Sequence, residues 1–83
     1  MRIETIEING HTIWILIDQL RTYSHDKRLV ETKTEFLCYY KLTEPNTFNY
    51  GELIKDVKGI PIIFKTPEEA IKYADSELSR RMK

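Results

Sequence analysis

Between Ile3 and Ile17 apolar residues first alternate with polar ones and then crowd together, and the pattern predicts a β-hairpin. Two β-rich runs, Ile3 to Ile8 and His11 to Ile17, meet at Asn9-Gly10. Both central residues of a type I′ turn need positive φ, which Asn tolerates and Gly adopts freely, and this turn matches the twist of paired strands. In the second run Ile13, Ile15 and Ile17 alternate with Thr12, Trp14 and Leu16. Both of its faces are apolar, which predicts a central strand.

The chain then turns polar from Asp18 to about Arg28, with Ser24-His25-Asp26-Lys27 as a solvated turn and Gln19 to Tyr23 open to extending the strand. Val30 to Leu42 begins with charges and threonines and ends in Phe36-Leu37-Cys38-Tyr39-Tyr40-Lys41-Leu42. Thr, Phe and Tyr suit a pleated, half-buried surface, so this is a long strand whose first half lies at a solvent edge. Phe36, Cys38, Tyr40 and Leu42 share one face, and Leu37, Tyr39 and Lys41 the other.

Glu44-Pro45-Asn46-Thr47 is a loop by composition. Residues 49 to 59 admit two readings. Asn49-Tyr50-Gly51-Glu52 fits a capping box opening a short helix that ends at Gly59. The competing hairpin has a strand Glu52 to Lys55, a turn at Asp56-Val57-Lys58-Gly59 and a strand Ile60 to Phe64. The hairpin is preferred, because the apolar run after Gly59 needs a neighbour and a tight antiparallel return supplies one. Pro61 cannot donate to a ladder, so the last strand lies at an edge or pairs only beyond residue 61.

The helix that follows is strongly signalled. Thr66 is its N-cap, Pro67 fills the first helical position, and Glu69 completes a capping box. Glu68 and Glu69 in the first turn, and Arg80, Arg81 and Lys83 at the end, complement the helix dipole. Ala70, Ile71, Ala74 and Leu78 form a narrow apolar stripe with Tyr73 and Met82 at its margin. The pattern predicts one α+β domain spanning residues 1–83, an antiparallel meander of four to five strands with one C-terminal helix packed on one face.

Composition narrows the function classes. At 83 residues, 41% hydrophobic and 31% charged, the chain is large and apolar enough for one core but not two. Thirteen basic residues balance thirteen acidic ones, so no overall field draws the chain to nucleic acid or to an anionic membrane. Cys38 is the lone cysteine, which excludes an intrachain disulfide. Acids interrupt the amino-terminal segment, and no stretch approaches the roughly 18 apolar residues of a membrane span. A cytoplasmic protein is the expectation.

Chemistry finds little purchase. Cys38 with His11 or His25 would supply a nucleophile and a base, yet a cysteine within an aromatic strand is ordinarily an inert core residue. Two histidines and one cysteine scattered along the chain lack metal-ligand spacing, and Gly10, Gly51 and Gly59 are isolated rather than a phosphate-binding loop. No enzyme activity, metal or cofactor is expected.

The sheet's second face is the less routine feature. If the helix covers Ile13, Ile15, Ile17, Phe36, Cys38 and Tyr40, then Trp14, Leu16, Leu37 and Tyr39 lie opposite, beside Thr12. An uncovered face bearing Trp and Tyr suits a protein interface, with another protein or with a second copy as a homodimer. The competing expectation is that segment 43 to 58 folds over it. The leading functional expectation is a non-catalytic interaction or regulatory module using Trp14, Leu16, Leu37 and Tyr39, or an edge strand. A nucleic-acid binder would instead stack bases on sheet aromatics and hold phosphates with Arg21, Lys27, Arg28, Arg80 and Arg81, provided the two basic clusters meet. Lys33 would join the first of these clusters. An accessory subunit of a larger complex is the third reading.

Overall fold

The computed structural model describes residues 1–82, without the side chains of Tyr23 and residues 31–34. Four strands, β1 (Arg2–Ile8), β2 (His11–Tyr23), β3 (Leu29–Lys41) and β4 (Glu52–Leu53), precede one helix, α1 (Pro67–Arg81). The strands form a single antiparallel sheet in the order β1-β2-β3-β4, so the fold is the α+β meander with a C-terminal helix.

The first hairpin turns at Asn9 (φ 51°) and Gly10 (φ 79°), between the paired residues Ile8 and His11. Asn9 has a second role. Its Nδ2 donates to the carbonyl of Met82 at 2.6 Å, covering one of the carbonyls that a helix end leaves without an internal partner. At the other end Arg2 Nη1 meets Glu68 Oε1 at 3.1 Å, so α1 runs in the same direction as β1. Asn9→Ala is expected to cost about 2 kcal/mol, from left-handed strain plus the lost hydrogen bond. Asn9→Gly, which keeps the turn, should cost about half of that. Chemical denaturation of the two variants separates the contributions, and equal losses would assign the whole effect to the helix end.

β2 is central, as its two apolar faces require. Ile13 and Ile15 are fully buried, and Leu16 and Ile17 nearly so. The face bearing Ile13, Ile15, Ile17 and Cys38 packs against Ala70, Ala74 and Leu78 of α1, with Ile8, Ile54 and Phe64 closing the core. Ala70 and Ala74 are fully buried, so the small residues of the helical stripe let the helix backbone approach the sheet.

Residues 52–64 form the hairpin and not the alternative helix. Leu53 pairs with Tyr39 and Glu52 with Tyr40, Ile54 N donates to Cys38 O at 2.8 Å, and Asp56 N donates to Ile60 O at 2.9 Å. The Asp56 carboxylate accepts from the amides of Lys58 and Ile60, which fixes the turn. The expected strand Ile60 to Phe64 is reduced to isolated bridges, Lys55 to Pro61 and Phe36 to Phe64. Pro61 has no N–H to give a ladder, and only Ile62 and Phe64 of this run turn inward.

Thr66 caps α1 with its hydroxyl accepting from Glu69 N at 3.1 Å. The return arm of the expected capping box is displaced: the Glu69 carboxylate accepts from Lys65 N at 3.3 Å, one residue before the cap.

β2 and β3 continue past the body of the domain as a two-stranded arm. Between the pairs Gln19 to Phe36 and Arg21 to Glu31 the ladder shifts register, because β3 carries more residues than β2 there. The arm closes through Ser24 N to Arg28 O at 2.9 Å, with Lys27 at φ 64°. Gln19 to Tyr23 is thus strand, and the polar segment contracts to the turn. The molecule measures 48 × 27 × 21 Å, with a long axis about twice either of the others.

Candidate protein-binding surface

Cross-strand partners share a face in an antiparallel ladder. Ile3 pairs with Leu16 and Leu16 with Tyr39, Thr5 pairs with Trp14, and Asp18 pairs with Leu37. Trp14, Leu16, Leu37 and Tyr39 therefore do lie together on the side opposite α1, joined by Ile3, Thr5 and Leu53. Their exposure differs from expectation. Leu16 is 1% exposed, and Trp14, Leu37 and Tyr39 are half-buried.

The cover comes from the chain itself. Pro45, Asn46, Thr47 and Tyr50 approach Leu16 and, with Met1 and Ile3, line a cleft of about 310 Å³. Tyr50 meets Tyr39 edge to face, with ring centroids 5.7 Å apart. Of the two expectations for this face, the uncovered one is corrected at its centre and the competing one, that segment 43 to 58 folds over it, is found there: the loop after β3 lies over Leu16 and closes it to a partner.

Two asparagines and a glycine shape this loop. Asn46 and Asn49 exchange backbone hydrogen bonds, and their side-chain oxygens accept from the amides of Phe48 and Gly51. Gly51 sits at φ 92°, where a Cβ would lie 2.1 Å from the carbonyl oxygen of Tyr40. This close crossing over β3 brings the loop onto the sheet. Phe48 stands at the tip, 98% exposed. Sequence reasoning missed it, although an aromatic bracketed by Asn residues is a local signal for a presented side chain.

The two edges of the sheet are unlike. β4 is two residues long and its hairpin return contains Pro61, both of which discourage strand addition. β1 is seven residues long, with no proline, no lysine and no bulge. A two-residue turn makes Ile8 and His11 a hydrogen-bonded pair, and such pairs alternate along the ladder. Glu4 and Ile6 consequently turn their backbone groups to β2, while Ile3, Thr5 and Glu7 turn theirs outward. Among the described residues no backbone bond reaches these outward groups. Ile3, 54% exposed, also borders the cleft below Tyr50. Sequence reasoning offered an edge strand as an alternative binding surface, and the strand it expected at an edge was Ile60 to Phe64 and not β1.

The basic residues are not brought together. Arg21, Lys27 and Arg28 belong to the arm, whereas Arg80 and Arg81 end α1 beside the Asn9-Gly10 turn. Arg81 lies beside Tyr40, opposite Ile15, and the stretch of β2 from there to the arm separates the clusters by roughly 20–30 Å. Arg28 Nε pairs with Asp26 at 3.0 Å, and Arg80 and Arg81 share Glu77 at 2.5 and 3.1 Å. The Ser24 hydroxyl bond, ahead of backbone bonds, holds the Asp26 carboxyl below its usual range. The side chain of Lys33 and the whole of Lys83 lie outside the described residues.

Cys38 is fully buried on the helix-facing side, and burial pushes its thiol pKa up to about 12. His11 and His25 are exposed, one beside the first turn and one at the arm tip, at opposite ends of β2. A thiol reagent is expected to leave Cys38 unmodified in the native protein and to label it promptly in denaturant; prompt native labelling would contradict this packing. Among the described residues no group of three or more His, Cys, Asp or Glu side chains is placed to hold a metal ion. No helix among them is long and apolar enough to cross a membrane.

Tyr40 and Glu52 build a polar recess, where the Tyr40 hydroxyl donates to Glu52 Oε2 at 2.7 Å beside Lys55, Asp56 and Arg81. Burial, then Glu52, raises the Tyr40 pKa, against an opposing influence from Arg81. The chain matches no protein-family model, curated protein or solved structure.

Proposed function

We propose that this chain is a non-catalytic interaction module that takes a strand of a protein partner along the outer edge of β1. The observation that carries the reading is the bare edge itself, with the backbone groups of Ile3, Thr5 and Glu7 turned outward beside an apolar cleft. An added strand gains affinity from main-chain hydrogen bonds and specificity from a side chain placed in a neighbouring pocket. Here that pocket is the space between Ile3 and Tyr50. The recognition surface has moved from the middle of the second face, which Leu16 and the loop occupy, to its β1 margin.

Nucleic-acid binding is the weaker reading, because its two basic clusters stand apart and Arg28, Arg80 and Arg81 are ion-paired. A photo-crosslinking amino acid placed at Thr5, in cells that make the protein, tests strand addition. Protein adducts are expected from Thr5 and not from Lys58 in the exposed turn on the far side of the sheet. If positions 3, 5 and 7 all give no protein adduct, the proposal fails.

A further inference from the structure

We infer that the strand received at this edge is β1 of a second copy, paired antiparallel about a two-fold axis at Thr5. This inference rests on the strand-addition reading and deepens it by naming the occupant. Hydrogen-bonded pairing requires outward residues of one copy to face outward residues of the other. Centred on Thr5, Thr5 faces the partner's Thr5 and Ile3 faces the partner's Glu7. All three outward residues on each copy are used within the bounds of β1.

The charges agree with this register. Arg2 faces the partner's Ile8, Glu4 faces the partner's Ile6, and Glu7 faces the partner's Ile3, so no like charges are opposed. Moving the centre to Glu4 sets that carboxylate against the partner's Glu4, a destabilising arrangement. Moving it to Ile6 carries Ile3 past the end of the partner strand onto the partner's Asn9. A Thr to Thr pair at the axis is itself favourable on a sheet surface.

The one like-charge approach in this register, Glu4 to the partner's Glu4 across the diagonal, is blunted because the charges of β1 are paired within each copy. Arg2 Nε is held by Glu4 at 2.7 Å and its Nη1 by Glu68 at 3.1 Å, and Glu7 accepts from the Thr12 hydroxyl at 3.2 Å. The whole chain has a formal net charge of zero, a state that favours association over mutual repulsion. The two four-stranded sheets would become one continuous sheet. A two-fold axis normal to that sheet places both helices on one side and both Phe48 loops on the other. The two clefts below Tyr50 then flank the seam.

Disulfide trapping tests the register. Facing residues of a hydrogen-bonded pair have Cα atoms about 5.5 Å apart, within reach of a disulfide. Under mild oxidation Thr5→Cys is expected to convert mostly to a covalent dimer, at least tenfold faster than Lys58→Cys. Ile3→Cys and Glu7→Cys should each stay uncoupled alone and couple when mixed. The unsubstituted chain should sediment at equilibrium, at high concentration, with twice its 9.9 kDa mass.

A monomer at every concentration, or Thr5→Cys coupling no faster than Lys58→Cys, overturns the inference, and dimers from Ile3→Cys alone overturn its register. Sedimentation uses the native sequence, so a misfolded variant does not protect the idea. If the chain is monomeric while a crosslinker at Thr5 still captures a different protein, the second copy is wrong and strand addition stands. If neither forms, both fall.

Discussion

Replacing Gly51 with alanine is expected to destabilise the protein by ~3–5 kcal/mol, combining a disfavoured left-handed backbone with a steric clash. Gly51 lies at φ 92°, and an added Cβ would meet the Tyr40 carbonyl oxygen at 2.1 Å and Lys41 Cβ at 2.8 Å. The first of these is strand backbone, which cannot swing aside as a flexible side chain would. Gly10 and Gly59 have similar φ values, 79° and 81°, but a Cβ at either would meet no atom within 4 Å. Their alanine variants should therefore show only the backbone cost, about 1–2 kcal/mol. Urea denaturation midpoints at constant slope measure all three, and a Gly51 variant no worse than Gly59→Ala would show that the chain does not cross β3 this closely. At roughly 0.05–0.15 kcal/mol per residue, a domain of this size has about a dozen kcal/mol at most, so the loss would be a large fraction of the total. It would also lift Tyr50 from Tyr39 and open the cleft beside β1.

Much of the fold was legible because its signals are local. Asn9-Gly10 specifies its turn with two residues, Thr66-Pro67 starts the helix with two more, and the doubly apolar run Ile13 to Ile17 announces the centre of the sheet. The alternation in Phe36 to Tyr40 assigned each side chain to the correct face, since a strand's period of two leaves no other arrangement. What periodicity does not carry is which distant segment returns to cover a face. Leu16 reads as exposed when only strands and helix are counted, and becomes buried through a loop whose path depends on a backbone approach between Gly51 and Tyr40. The same limit applies to the proposed binding edge. Ile3, Thr5 and Glu7 are unremarkable in sequence, and their proposed role follows from the phase of the ladder set at Asn9-Gly10 and from β1 having no outer neighbour among the described residues.

Leu16→Ala should cost about 2–5 kcal/mol, the range for a leucine removed from a core, although Leu16 faces away from the helix. The side chain is 1% exposed between Ile3, the loop and Tyr50, so truncation leaves a void and removes contacts from two elements. Were the second sheet face bare, the same change would take away a surface side chain and stay within about 0.5 kcal/mol. Phe48→Ala provides the internal contrast. It lies on the same loop but is 98% exposed, so its loss should leave stability within about 0.5 kcal/mol of the parent. Chemical denaturation followed by Trp14 fluorescence reads both, because Trp14 shares the face with Leu16. A near-neutral Leu16→Ala would mean that the loop does not seal the face in solution, and would make Trp14, Leu37 and Tyr39 open to a partner again. A large loss would leave the margin at Ile3 as the place on this face where apolar surface and open backbone meet, which is the combination that an incoming strand requires.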